Sequence, residues 1–186
     1  MIWIVFFGLV GGVVIAGFGA VALYNRLVTL RNRVDASWAQ IDVQLKRRYD
    51  LIPNLVETVR AYARHERETF ELVTKARAAA ISATTPAQAA QAEGQLAGAL
   101  KSLFAVAESY PELKANQNFL QLQGELSLTE NNIALSRETY NEAVRQFNTS
   151  LQLFPASLIA VLFRFQPREF FKVDNAEQRQ APKVQF

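Results

Sequence analysis

The first 25 residues of the chain contain no charged side chain, and Ile2 to Leu23 form an unbroken run of apolar and glycine residues. As an α-helix rising 1.5 Å per residue, such a run spans roughly 33 Å, enough to cross a hydrocarbon core of about 30 Å. A cleaved signal peptide carries basic residues before a shorter apolar core. No Lys or Arg precedes this run. The sequence therefore predicts a retained transmembrane anchor, with cleavage after Ala20 or Ala22 as the alternative.

The charges beside the apolar run predict its orientation. On its N-terminal side, the only charge is that of the amino terminus. On its C-terminal side, several basic residues are accompanied by only two acidic ones, Asp35 and Asp42. Those basic residues are Arg26, Arg31, Arg33, Lys46, Arg47 and Arg48. Because basic flanks stay on the cytoplasmic side, we expect a single-pass protein with its N-terminus outside and the rest of the chain in the cytoplasm. Arg26, Arg31 and Arg33, nearest the span, are predicted to contact anionic lipid headgroups.

Small residues recur every four positions within the predicted span, at Gly8, Gly12, Ala16 and Ala20. Helices in lipid associate by close backbone packing, and a small-xxx-small stripe permits it. The stripe predicts self-association of the chain into a homo-oligomer. The alternative is that glycine is simply common in membrane spans.

Composition argues against several kinds of site. The chain has no cysteine and one histidine, which excludes disulfides and thiolate chemistry and leaves few metal ligands. His65-Glu66 resembles the start of a zinc-protease motif, but position 69, where the second histidine would stand, is Thr. We predict no catalytic, cofactor-binding or metal-binding residue and no small-molecule substrate. The basic excess lies beside the span, which favours membrane lipid over nucleic acid.

Apolar residues then follow helical spacing through most of the chain, which predicts an all-α protein. The first seam consists of Leu27, Leu30, Val34, Trp38, Ile41, Leu45, Tyr49, Ile52, Val56, Val59, Ala63, Phe70 and Val73. Pro53 either bends one continuous helix or separates two, giving three or four helices beyond the anchor. The unbroken phase of the seam across Pro53 favours one continuous helix.

Two further breaks are predicted, at residues 82–86 and at residues 109–112, because both contain proline and turn-forming residues. A long helix is expected from about Glu112 to Gln152, ending before Phe154-Pro155. We therefore divide the chain into an anchor (1–25), a helical bundle (26–153) and an aromatic-rich C-terminal segment with a polar tail (154–186).

Phenylalanine is concentrated in that C-terminal segment. These side chains either fold back to close the end of the bundle or contact the bilayer interface or a neighbouring subunit. If Pro53 separates two helices, the segment ends beside the membrane, and if the helix is continuous it lies at the far end. The predicted contact residues are Phe154, Phe163, Phe165, Phe170 and Phe171, with Phe186 as a further aromatic.

Three blocks of this sequence resemble the LemA family of bacterial membrane-anchored proteins. They are YNRLVTLRNRVDASWAQIDVQLKRRYDLIPNLVETVRAYARHE (24–66), NFLQLQGELSLTENNIALSRETYNEAVRQFN (118–148), and FPASLIAVLFRFQPREFF with a PKVQF end (154–186). The resemblance implies one N-terminal span in the bacterial inner membrane, an antiparallel long-helix bundle and no enzymatic activity. A magnetosome-associated relative further suggests membrane shaping or scaffolding.

Several polar residues lie near the seams of the long helices within these blocks. Buried or half-buried, they need partners and fix the helix register. We predict a structural polar network, with a partner-binding surface as the alternative. The residues are Arg33, Asp35, Arg48, Asp50, Glu130, Asn131, Arg137 and Asn141.

These features together predict a LemA-like membrane-anchored, non-enzymatic scaffold that self-associates and organises or remodels membrane. The alternative is a monomeric adaptor bundle that binds another membrane protein, such as a protease or a signalling component. An enzyme is a third option, and it would require a bound metal or cofactor.

Overall fold

The part of the chain described by the structure, a computed structural model, is residues 1–172, without the side chain of Val5. Within these residues there are six helices and no strand: α1 (Ile2–Tyr62), α2 (Arg67–Ser82), α3 (Pro86–Glu108), α4 (Pro111–Lys114), α5 (Gln117–Gln152) and α6 (Ala156–Leu162). The predicted all-α fold, a long apolar N-terminal helix followed by a helical bundle, is confirmed.

Helix α1 passes through Pro53 without a break. Ile52 and Val56 are buried on either side of the exposed proline, so the buried seam keeps its phase through it. The helix therefore tolerates the one backbone hydrogen bond that Pro53 cannot donate. The continuous alternative is confirmed, and no turn separates two helices at Pro53.

A reversal instead follows Tyr62, well before the break predicted at residues 82–86. This reversal was not predicted, because residues 63–66 contain neither glycine nor proline. In the structure the Glu66 N–H donates to the Ala63 carbonyl (3.2 Å), and α2 begins at Arg67. The one local signal was the gap in the seam between Ala63 and Phe70.

The next break is confirmed in detail. Helix α2 ends at Ser82, and Thr85 caps α3, whose first residue is Pro86. The Thr85 hydroxyl accepts from the Gln88 N–H, and the Gln88 side chain accepts from the Thr85 N–H, which completes a capping box. The short turn makes α2 and α3 antiparallel neighbours.

The break at residues 109–112 is also confirmed, but the long helix starts later than predicted. Pro111 opens the single turn of α4, and Asn116 then caps α5 by accepting from the Phe119 N–H (3.1 Å). The Asn116 amide donates to the Tyr62 hydroxyl (3.1 Å), which places the start of α5 beside the end of α1. The two long helices are therefore antiparallel.

The chain packs as two compact units, and α1 and α5 contribute to both. The first unit comprises Met1–Ala39 and Thr139–Arg168. Its core lies along α1 and α5, where the Trp38 and Tyr140 rings pack with centroids 5.4 Å apart. The core residues are Leu27, Leu30, Val34, Tyr140, Val144, Phe147 and Ala160.

The second unit comprises Gln40–Glu138 and the described residues from Glu169 onward. Helices α1, α2, α3 and α5 supply its core, in which α2 packs against α3 and the buried face of α3 consists largely of alanine and leucine. The seam residues from Ile41 to Val73 in the first list above are all buried in it. The domain boundaries drawn from the sequence cut the chain differently and stay predictions.

Candidate membrane-proximal site

The chain turns back sharply after α5. The turn at Phe154-Pro155 leads into α6, and Arg164 then adopts a left-handed conformation with φ 54°. The Phe165 N–H donates to the Ala160 carbonyl (2.9 Å), and the Arg164 N–H donates to the Val161 carbonyl (3.2 Å). These paired bonds form a Schellman motif that ends α6. We call residues 153–163 the foot and residues 164–168 the strap.

Aromatic side chains join the foot and the strap to the helix that carries the apolar run. The ring centroids of Tyr24 and Phe163 are 4.7 Å apart, and those of Tyr24 and Phe165 are 5.9 Å apart. Phe165 also packs edge-on against Phe147 at 6.3 Å, and the Arg31 guanidinium lies 5.6 Å from the Phe165 ring centroid. Tyr24 directly follows the apolar run, so the foot lies beside the end of the predicted span.

Polar contacts hold the strap in place. The Asn148 side chain donates to the Arg168 carbonyl (2.9 Å) and accepts from the Arg168 N–H (2.8 Å). The Arg168 guanidinium pairs with the Asp35 carboxylate at 2.8 Å. The two backbone bonds fix the strap, whereas the ion pair is half exposed and contributes little.

The foot itself presents apolar side chains outward. Their exposed fractions are Leu153 58%, Phe154 80%, Leu158 62%, Val161 80%, Leu162 72% and Phe163 54%. Several large apolar side chains exposed within one short segment are typical of an interaction site. Arg164 and Arg26, both exposed, lie next in sequence to Phe163 and close to Tyr24 respectively.

The predicted contact phenylalanines separate into three groups. Phe154 and Phe163 are exposed, Phe165 and Phe170 are half buried, and Phe171 is only 1% exposed. Phe171 therefore lies in a core rather than on a surface. The foot lies beside the end of the span, so the expectation that a continuous α1 sends this segment to the far end is wrong. Because the chain also reverses after Tyr62, the bundle has an even number of long helices (α1, α2, α3 and α5), and α5 therefore ends near the span. Phe186 lies outside the described residues.

The apolar N-terminal part of α1, from Ile2 to Leu23 and called its apolar half below, is exposed over almost its whole length. It is long and apolar enough to cross a membrane by length and composition. A Cβ atom built at Gly8 or at Gly12 would meet nothing within 4 Å, so the small-residue face is open along this part of the helix. Ala16 is exposed and Ala20 half buried, and the predicted lipid contacts Arg26, Arg31 and Arg33 are all exposed.

A buried polar cluster lies in the second unit. The Arg48 guanidinium donates to one Glu93 carboxylate oxygen (3.0 Å), and the Tyr49 hydroxyl donates to the other (2.7 Å). Arg77 closes the cluster by donating to the Tyr49 carbonyl (2.8 Å). Helices α1, α2 and α3 are thereby linked at one level of the bundle.

Burial controls the protonation of this cluster. It raises the pKa of the Glu93 carboxyl above its ordinary value, against the opposing effects of Arg48 and the Tyr49 hydroxyl. Burial and the neighbouring Glu93 carboxylate likewise raise the pKa of Tyr49, so this hydroxyl stays a neutral donor at physiological pH. The cluster has the features of a register-fixing ion pair.

Of the predicted polar network, only Arg48 is buried. Arg137 and Asn141 are half buried, and five residues expected near the core are exposed: Arg33, Asp35, Asp50, Glu130 and Asn131. Glu93 and Tyr49, which complete the buried cluster with Arg48, were not predicted as members of a polar network. The signal for Glu93 was available, because it stands at the Ala89, Leu96, Leu100 and Leu103 spacing of the buried face of α3.

A second surface feature is an open groove of about 760 Å³ between the end of α1 and α2. Four cations and two carboxylates line it, and the Arg60 guanidinium lies 5.3 Å from the Phe70 ring centroid. The lining residues are Glu57, Arg60, Ala61, Arg64, Arg67, Phe70, Glu71, Thr74 and Lys75. Within residues 1–172, no group of three His, Asp or Glu is arranged to hold a metal ion.

Comparison with known proteins assigns the family. A profile of the LemA family matches residues 37–186, most of the chain. The chain belongs to the LemA family. This LemA-family protein is 26% identical over 167 residues to Protein LemA of Metamycoplasma hominis, a match covering 83% of this chain and 75% of that protein.

Magnetosome proteins are also similar to this LemA-family chain. Magnetosome protein MamQ 2 of Paramagnetospirillum magneticum is 24% identical over 175 residues, covering 80% of this chain and 64% of that protein. Magnetosome protein MamQ of Magnetospirillum gryphiswaldense is 22% identical over 174 residues, with the same coverage. The chain thus spans less than two thirds of these MamQ proteins. Neither the family nor these names indicates an enzyme.

Proposed function

We propose that this LemA-family protein is a membrane-anchored, non-enzymatic scaffold that self-associates and organises or remodels membrane. The observation that carries the proposal is α1 itself. Its first part is exposed and apolar, and its second part, from Leu27 onward, supplies the core of the bundle without a break. One continuous helix therefore links any packing between spans to the helical core that it supplies.

We further propose that the span lies in the bacterial inner membrane with its N-terminus outside and the bundle in the cytoplasm. The exposed Arg26, Arg31 and Arg33 follow the span, whereas residues 1–25 contain no Lys or Arg. This asymmetry favours a cytoplasmic bundle. The MamQ relatives are named for a cellular structure, the magnetosome, rather than for a reaction, which supports a structural role.

Self-association is proposed to occur through the face that carries Gly8, Gly12, Ala16 and Ala20. The open space at Gly8 and Gly12 allows a second helix to approach closely. Gly17 offers a matched control, because at 3.6 residues per turn it lies about 180° from Gly8 around the helix.

Gly12→Ile is expected to weaken self-association of the full-length protein by about tenfold or more, equivalent to about 1.4 kcal/mol, because a branched side chain separates the helices. Gly17→Ile, the same change about 140° around the helix from Gly12, is expected to leave it unchanged. Sedimentation equilibrium in a mild detergent measures both. Equal weakening by the two variants, or a wild-type protein that is monomeric and leaves liposomes undeformed, would contradict the proposal.

The alternative, a monomeric adaptor that binds another membrane protein, is favoured by the groove between α1 and α2. Its cations outnumber its carboxylates, which suits an acidic partner surface. If the adaptor function holds, one stoichiometric partner co-purifies from native membranes and is lost in an Arg64→Glu, Arg67→Glu variant. Lys101→Glu, an exposed charge reversal on α3, retains that partner. Recovery of this chain alone excludes the adaptor and leaves the scaffold.

A further inference from the structure

We infer that the foot is a second membrane contact, embedded in the interface of an anionic phospholipid bilayer beside the span. This inference rests on the proposed function, because it requires the apolar half of α1 to be in a membrane. It adds a lipid-binding surface from the opposite end of the sequence, so that the bundle touches the bilayer at two places instead of one.

The depth of the foot follows from Tyr24. This residue directly follows the apolar run, and tyrosine is enriched where a span leaves the hydrocarbon core. The Phe163 ring packs against the Tyr24 ring with centroids 4.7 Å apart. With the span inserted, Phe163 therefore lies at the level of the lipid headgroups.

The composition of the foot fits that level. Phe154, Val161 and Leu162 are each more than 70% exposed to water in the isolated chain. Helix α6 has seven residues, too few to cross a bilayer but enough to lie along its surface. Interfacial helices bury their apolar side chains about 5–10 Å into the boundary between headgroups and acyl chains.

The charges beside the foot select an anionic surface. Arg164 and Arg26 are exposed near Phe163 and Tyr24, and the long arginine stem lets the guanidinium reach phosphate while apolar neighbours enter the lipid. The strap bonds between Asn148 and Arg168 fix the foot to α5, so its apolar side stays at this level.

Single-cysteine spin labelling of the full-length protein tests this inference, since the native chain has no cysteine. Val161→Cys reports on the foot. Val43→Cys is the matched control, an exposed valine 19 residues beyond Tyr24 and so about 30 Å further along α1. Ile15→Cys reports on the span. Each label is measured in vesicles of phosphatidylcholine and phosphatidylglycerol for collisions with oxygen, which favours lipid, and with a nickel chelate, which favours water.

The expected result is a Val161 label about 5–10 Å below the phosphate groups, with Val43 in water and Ile15 near the bilayer centre. A Val161 label as accessible to nickel as Val43, with Ile15 still in lipid, overturns the foot and leaves the anchor standing. A Val161 label shielded from both reagents and broadened by a second label overturns it in favour of a second copy of the chain. A water-exposed Ile15 label overturns both the foot and the proposed function.

Discussion

Arg48→Met is expected to lower the free energy of unfolding by about 3–5 kcal/mol, because it leaves the Glu93 carboxylate buried without its cation. Glu93 is 4% exposed and Arg48 is 7% exposed, so water cannot replace the lost interaction. This is a large part of the about 5–15 kcal/mol typical of a folded domain. Urea unfolding of the full-length protein in detergent micelles, followed by Trp38 fluorescence in a Trp3→Phe background, measures the change.

Two control variants separate burial from charge. Arg48→Met combined with Glu93→Gln removes both charges and keeps an acceptor for the Tyr49 hydroxyl, and it is expected to recover most of the loss. Arg145→Met breaks a shorter pair, 2.6 Å from Glu142, but both side chains are largely exposed. We expect it to leave the unfolding midpoint almost unchanged. A double variant as unstable as Arg48→Met would contradict a dominant cost from the unpaired charge.

The Arg48→Met variant is also expected to lose more stability near pH 8 than near pH 5. Burial raises the pKa of Glu93 above its ordinary 4.5, and loss of Arg48 removes the charge that opposes this rise. Between the unfolded and folded pKa values the folded state holds the extra proton, so stability falls as the pH increases. A penalty independent of pH would indicate that Glu93 does not titrate in this range.

The second large effect is expected from Phe147→Ala, which should cost about 3–5 kcal/mol. Phe147 is fully buried, and its ring packs against Phe165 of the strap. Removing it leaves a cavity under Phe165 and weakens the attachment of the strap and of the foot that precedes it. The same urea titration measures the loss.

Phe154→Ala is the matched control, because Phe154 is 80% exposed and the same atoms are removed from the surface. It is expected to change stability by less than about 0.5 kcal/mol. If Phe154→Ala destabilised the protein as much as Phe147→Ala, Phe154 would be a core residue, which contradicts the outward-facing foot.

Much of the fold could be predicted from local sequence. The seam through Ile52 and Val56 was sufficient to carry one helix across Pro53, because apolar periodicity outweighs one missing backbone bond. The cap at Thr85 and the break at Pro111 were likewise visible, since capping and proline chemistry act within a few residues. The reversal after Tyr62 was missed because tertiary packing, rather than a glycine or proline, determines it.

The candidate sites depended on distant pairs and were harder to predict. The predicted polar network contained Arg48 but not Glu93. In the alanine-rich sequence of α3, Glu93 was not distinguished from an exposed surface charge, although it lies on the buried face. The contact between Tyr24 and Phe163 joins residues almost 140 positions apart. Whether the C-terminal segment lies beside the span or at the far end of the bundle depends on the number of helix reversals, and the reversal after Tyr62 was not predicted.

The central claim is that the apolar half of α1 anchors a scaffold that assembles in the membrane. Photobleaching-based subunit counting of the full-length protein in vesicles tests it most directly, with one dye on Val43→Cys, the only cysteine in that variant. The account predicts discrete oligomers that are reduced by Gly12→Ile and retained in Gly17→Ile. Single bleaching steps at every protein density, in vesicles of unchanged shape, would contradict it.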